Sequence, residues 1–253
     1  MNFLALLFIC CVLPEFVAPR ALSNRVTQSD VDDVVRIVDE KYLTGKRLKI
    51  SQRLQDAVYV TGHTVKLECA SSSQPRARIQ WKHNGAVIQD NFPLTFEDKL
   101  ENYGSNMSDS VITQSFLTIP CPTREDSGTY TCIATSSIGK VESSAQIVFE
   151  GHKRTHCRAE PAPTITDFTY LRFENDHNSA LLSCAADQDV NWTWKSGNEK
   201  LKNSWKHSIL NNGNLLIRNI TYGYDNGEYS CTATNMYGQD TQYTELYIAK
   251  VSQ

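Results

Sequence analysis

The chain has 253 residues, and 28 acidic side chains against 25 Lys and Arg leave a net charge of −3. Charge-driven nucleic-acid recognition needs a basic footprint, so this balance excludes a nucleic-acid binder of that kind. The length allows one or two domains, each with a core of its own.

Residues 1–18 carry an apolar run from Phe3 to Leu13, broken at Pro14 and followed by the small Ala18. The pattern predicts a secretory signal peptide cleaved near Ala18 or Ala21, although no Lys or Arg precedes the run. The run is too short to anchor the chain across a bilayer. Cleavage removes Cys10 and Cys11 and turns eight cysteines into six, an even number suited to the oxidising export route. No later stretch is apolar for long enough to span a membrane, and the tail 248–253 lacks the signal for a lipid anchor. The mature protein is therefore expected to be secreted.

Residues 19–49 form an N-terminal segment in which Val31, Val34, Val35, Val38 and Tyr42 recur at helical spacing, with Ser29 as N-cap and Gly45 as stop. A helix this short is marginal alone. It either frays or lays its Val stripe on the first domain or on a partner.

A first domain is expected over 50–150. Alternation of apolar and polar residues places strands at 65–69, 77–82, 115–119, 129–135 and 140–149. The polar stretch 98–109, with Asn102-Tyr103-Gly104, reads as an exposed connection. A Pro-bearing linker over 151–162 leads to a second domain over 163–253, with strands at 181–184, 191–195, 214–218, 228–235 and 243–247.

The two domains repeat one motif. Cys69 precedes Trp81 by 12 residues and Cys132 by 63, while Cys184 precedes Trp194 by 10 and Cys231 by 47. Tyr130 and Tyr229 each stand two residues before the second Cys, as in a tyrosine corner. This order describes an all-β immunoglobulin sandwich, in which a disulfide joins the two sheets and packs on a buried indole. Closing loops of this length is worth about 4 kcal/mol in the chain-entropy model. Trp192 shares a face with Trp194, and Trp194 is taken as the central indole because Lys195 and the turn follow it as Lys82 follows Trp81.

Cys121 and Cys157 remain. The turn after the 115–119 strand and the end of the 140–149 strand emerge at one pole of such a sandwich, so a bridge between these two is expected. An intermolecular bridge or two free thiols are its rivals. Zinc on Cys121, Cys157, His152 and His156 matches on residue types alone, but exported thiols oxidise first, so no metal and no cofactor is expected. Such a bridge, with Pro161 and Pro163, would leave roughly three linker residues free to bend, so an extended, stiff rod of two sandwiches is expected.

Asn106, Asn191 and Asn219 head N-x-Ser/Thr sequons and are expected to carry glycans. Residues 152–158 concentrate basic charge on the linker, for solvent, for sulfated glycans or for dibasic processing. No HExxH, GxSxG, P-loop or GxGxxG motif is present, so no catalytic residue is assigned.

With Ala134 to Gly139 and Ala233 to Gly238 at the last hairpins, the two motif sets resemble the I-set immunoglobulin family. A signal peptide, two such domains and no anchor resemble the secreted zig ("zwei Ig") proteins of nematodes. The chain is also similar to an insect secreted two-immunoglobulin protein that binds insulin-like peptides. The zig resemblance implies a neural role, maintaining axon position in the nerve cord through a cell-surface receptor, adhesion molecule or matrix component. The insect resemblance implies a soluble carrier of an insulin-like peptide hormone. Neither resemblance supplies binding residues to carry over.

Overall fold

A computed structural model describes residues 46–90, 95–151 and 162–250. The first domain contains β1 (Arg47–Gln52), β2 (Ala57–Val60), β3 (Val65–Gln74), β4 (Arg78–His83), β5 (Ala86–Gln89), the helix α1 (Glu97–Glu101), β6 (Ser110–Ile119), β7 (Gly128–Ser136) and β8 (Gly139–Glu150). The second contains β9 (Ile165–Asn175), β10 (Ala180–Leu182), β11 (Cys184–Ala186), β12 (Asn191–Ser196), β13 (Glu199–Lys200), β14 (His207–Ile209), β15 (Leu215–Ile217), β16 (Gly227–Asn235) and β17 (Gly238–Ala249). The protein is all-β in character, and its first strand starts at Arg47, slightly ahead of the boundary expected at residue 50. No helix among the described residues is long and apolar enough to cross a membrane.

Period-two patterning explains the strands. Along β8 the alternation of exposed Glu142, Ser144, Gln146 and Val148 side chains with buried Ser143, Ala145, Ile147 and Phe149 marks a sheet with one face on a core. In each domain the disulfide crosses the core, joining Cys69 to Cys132 and Cys184 to Cys231. Trp81 and Trp194 are fully buried beside them. Their indole N–H groups are satisfied, Trp81 by Ser115 Oγ and Trp194 by Gly213 O, each at 2.8 Å. Gly213 has φ +94°, and a Cβ there would come within 2.3 Å of Cys184 O and 2.5 Å of the Trp192 ring, so this position admits only glycine. Trp194 is buried in the second core, and the partly buried Trp192 packs against it.

The arrangement of the two domains differs from the expected rod. Strand β6 pairs antiparallel with β9, from Ser110↔Phe173 to Ser115↔Asp167. The result is one sheet running β1-β3-β6-β9-β17-β16-β12-β13 through both domains. A covalent tether alone would leave the domains apart, but among the described residues β6 has no strand of its own domain on its second edge, and β9 fills that edge. Strand β9 is consequently shared. It pairs with β6 on one side, and on the other with β11 through Ile165 to Phe168 and then, in parallel, with β17 through Leu171 to Asn175.

Register fixes which way each layer lies, since paired residues share a face. Cys69, Ser115, Thr113 and Val111 point to the first core's side of the long sheet, and Val111 pairs with Arg172, which pairs with Leu246 of the second core. At that end of β9 the second core therefore lies on the first core's side of the long sheet, whereas at the other end Gln114 pairs with Phe168 and Phe168 with Cys184, which turns Phe168, and Phe116 of β6, into the second core on the opposite side. Beyond the Tyr170 bulge the upper face passes from β6 through β9 to β17 and β16, where Ile112, Leu171 and Glu245 are half-buried and Glu228 is exposed.

Candidate functional site: the interdomain seam and the open face above it

Beneath the sheet, charged groups lock the seam. Arg172 is fully buried and donates to Asp109 Oδ1 at 2.9 Å, Asp98 Oδ2 at 3.0 Å and Glu174 Oε2 at 2.7 Å. Arg76, from the loop after β3, grips Asp98 with both guanidinium arms at 3.1 and 3.3 Å and donates to Thr95 O at 2.8 Å. Glu174 accepts the backbone N–H of Ser108 at 2.8 Å and of Asp109 at 3.2 Å. Lys99 closes the half-open rim on Asp109 at 3.1 Å. Three cations thus face three carboxylates. Burial alone would raise the Asp109 carboxyl, but Arg172, Arg76 and Lys99 outweigh it and hold the group below its ordinary value. Burial likewise works against the Arg172 charge, and the three carboxylates outweigh it and raise the group.

Further contacts extend the lock. Asn102 and Ser179 exchange two neutral hydrogen bonds, at 2.7 and 2.6 Å, and the Arg218 guanidinium pairs with Glu101 Oε1 at 2.8 Å. The stretch 98–109, expected to be an exposed connection, is therefore the first domain's contact surface. Asp98, Asn102, Ser108 and Asp109 are buried, because their polar atoms find partners in the second domain. Phe116 projects from β6 on the opposite side to Ser115 and joins the second core, 5.7 Å from Phe168. Burying such a ring is worth roughly 2 kcal/mol. Asp167 lies in the same seam, fully buried, and neither of its oxygens receives a well-formed hydrogen bond. Burial pushes its carboxyl up to about 6; the nearby Ser115 and Thr166 hydroxyls offset this in part, and Asp90 adds to it.

The upper face is ordered in rows. One row crosses six strands as Lys49, Ser72, Ile112, Leu171, Glu245 and Glu228. Beside it lie Ser110, Phe173 and Tyr247, with the two rings stacked at 5.2 Å, and on the other side Tyr243, Ser230, Lys195 and Lys200. Tyr170 is the extra residue of the bulge opposite Ile112 and Thr113. Tyr170 and Tyr243 are 51% and 56% exposed, so aromatic surface remains in solvent where the domains join.

The residues singled out from the sequence fall into three groups. Tyr130 Oη donates to Asp126 O at 2.7 Å and Tyr229 Oη to Asp225 O at 3.0 Å, closing both tyrosine corners. Cys121 is disulfide-bonded, while Cys157 lies outside the described residues, as do His152, His156, the basic stretch 152–158, the signal and the segment 29–45. Asn106, Asn191 and Asn219 are all exposed. Asn106 has its carbonyl held by Asn175 and Asn178 at 2.8 Å each, which fastens the backbone and leaves the side chain to solvent. We expect Asn→Gln at each of the three positions to remove one glycan from the secreted protein, read as one fewer step on partial enzymatic deglycosylation. A variant with an unchanged ladder marks an unused sequon. The seam residues Asp98, Asp109, Arg172 and Glu174 were missed, and the available signal was charge at positions of β9 that a strand turns inward.

Comparison with known proteins identifies the domains. The Immunoglobulin I-set domain model matches residues 48–149 and 174–248. "Zwei Ig domain protein zig-4" of Caenorhabditis elegans is 41% identical over 213 residues, covering 83% of each chain. "Zwei Ig domain protein zig-3" of the same organism is 37% identical, covering 97% of this chain and 98% of the relative. Among solved structures, neural ectodermal development factor IMP-L2 superposes with a TM-score of 0.61 at 22% identity, over 81% of this chain and 96% of that one, a likeness of fold.

Proposed function

Because the chain belongs to the zig family of two-domain I-set immunoglobulin proteins, we propose that it is a secreted, non-enzymatic recognition protein that maintains axon position in the nerve cord. Its partner in this reading is a cell-surface receptor, adhesion molecule or matrix component. The observation that carries the reading is the open face shared by both domains over a seam locked by buried charge. Two independently tumbling sandwiches would lose orientational freedom on binding, whereas a fused pair has lost it in folding, which favours a wide, flat contact. The N-terminal apolar run supports export, and intact disulfides in both cores suit the extracellular medium.

Capture from nematode extracellular fluid with the tagged, glycosylated protein tests this. Recovery of a membrane receptor ectodomain, an adhesion molecule or a matrix protein is expected. Recovery of small insulin-like peptides alone would replace the reading with that of a soluble hormone carrier.

A further inference from the structure

The upper face holds a pair of like charges where a sheet least tolerates them. Glu228 on β16 and Glu245 on β17 are direct cross-strand partners. Like charges so placed destabilise a sheet. Neither is paired with a cation among the described residues, and Glu245 is half-buried, so burial, and then the Glu228 charge, raise its carboxyl above the ordinary value. Towards the seam the neighbours of this pair are apolar or aromatic, while Ser230 and Lys195 lie on the same face on the side away from it. Leu171 is the next residue along the row from Glu245, with Ile112 of the first domain beyond it. Tyr243 and Tyr247 flank Glu245 at two residues on either side of its strand, and Tyr170 lies close enough to Tyr247 for the two phenols to interact.

Exposed apolar surface in one contiguous patch marks a contact site on a monomer. The half-buried Glu245 beside the exposed Glu228 keeps an unmet demand for positive charge, which water meets poorly once a partner covers the pair. We propose that this face, formed at the seam by Ile112, Leu171, Tyr243 and Tyr247 around Glu228 and Glu245, docks a protein that presents a Lys or Arg side chain within an apolar patch. The proposal rests on the recognition reading above and adds the place and the chemistry of contact. Aromatic rings give the cation a second attraction through their π faces. Asn191 lies on the same face at β12, two strands from β17, so a glycan there bounds the contact and leaves the seam side open. Because the row joins residues of β6 and β9, the site exists only while the two domains are fused.

A random peptide library displayed on phage, selected on the full-length secreted protein, is the probe. Enriched peptides are expected to combine Arg or Lys with aromatic or branched aliphatic residues. A synthetic copy of the best one should bind about tenfold or more weakly to the Glu228→Gln, Glu245→Gln double variant. That variant removes a repulsion, so its thermal midpoint should stay or rise, which separates lost binding from lost folding. Leu171→Asp should abolish binding as well, with the disulfides and ellipticity retained. Enriched peptides without a cation, equal binding to the double variant, or no enrichment at all overturn the proposal. Staining of live neurons by wild type and double variant keeps the two readings apart. Equal staining by both refutes the docking face alone, and no staining by wild type refutes the recognition reading.

Discussion

Arg172→Met should cost on the order of 3–5 kcal/mol and part the two domains, the largest effect expected of any single change outside the disulfides. Among the described residues, only this guanidinium touches Asp98, Asp109 and Glu174 together. Without it Arg76 still holds Asp98 and Lys99 still holds Asp109, but Glu174 keeps only neutral donors in a site closed to water. Breaking a buried pair from one side is what makes the cost large, since the remaining charge stays desolvated. Denaturant unfolding of wild type and variant gives the difference, and small-angle scattering gives the shape. The variant is expected to show a wider distance distribution while each core keeps its disulfide. Adding Glu174→Gln should recover part of the loss, because the stranded charge is then gone. Equal midpoints for wild type and Arg172→Met would mean that strand pairing alone holds the seam.

The sequence made the two cores legible and left the seam hidden, for one physical reason. Trp81, Trp194, Tyr130 and Tyr229 act through contacts fixed by spacing within a domain, and each tyrosine reaches a carbonyl four residues back. The seam is made of pairings with no local signature: Arg172 meets Asp109 at a separation of 63 residues and Asp98 at 74. A polar stretch such as 98–109 reads as solvent-facing unless its partners are known, because polarity is shared by surfaces and by satisfied buried networks. Strand β9 was equally opaque. It is buried on both faces and paired on both edges, so it lacks the alternation that revealed β8. One clue was present. With no strand found between 98 and 109, the 115–119 strand had an open edge in an otherwise closed sandwich, and such an edge invites a partner strand.

The same seam carries a carboxyl of opposite behaviour, and Asp167→Asn should stabilise the protein at neutral pH. Asp109 is held below its ordinary value, so its contribution is present above about pH 4 and lost only as the pH falls through the lower, folded value. Asp167 is pushed up to about 6 from 3.8, chiefly by burial. The fold therefore prefers its neutral form. Its favourable contribution is complete below 3.8, declines as the pH rises, and is gone once the pH passes the folded value near 6. A displacement of that size is worth on the order of 3 kcal/mol against the fold at pH 7. The group sits opposite Ser115 in the β6–β9 ladder, so the penalty acts where the domains join. An amide of the same shape carries no charge to desolvate and still hydrogen-bonds to a hydroxyl. Denaturant midpoints for wild type and Asp167→Asn should nearly coincide at pH 4, separate up to about pH 6 and keep that separation to pH 7, with the variant the more stable. A constant gap across that range would show that Asp167 does not titrate in the seam, and a less stable variant would show that its carboxylate is held by bonds the amide cannot make.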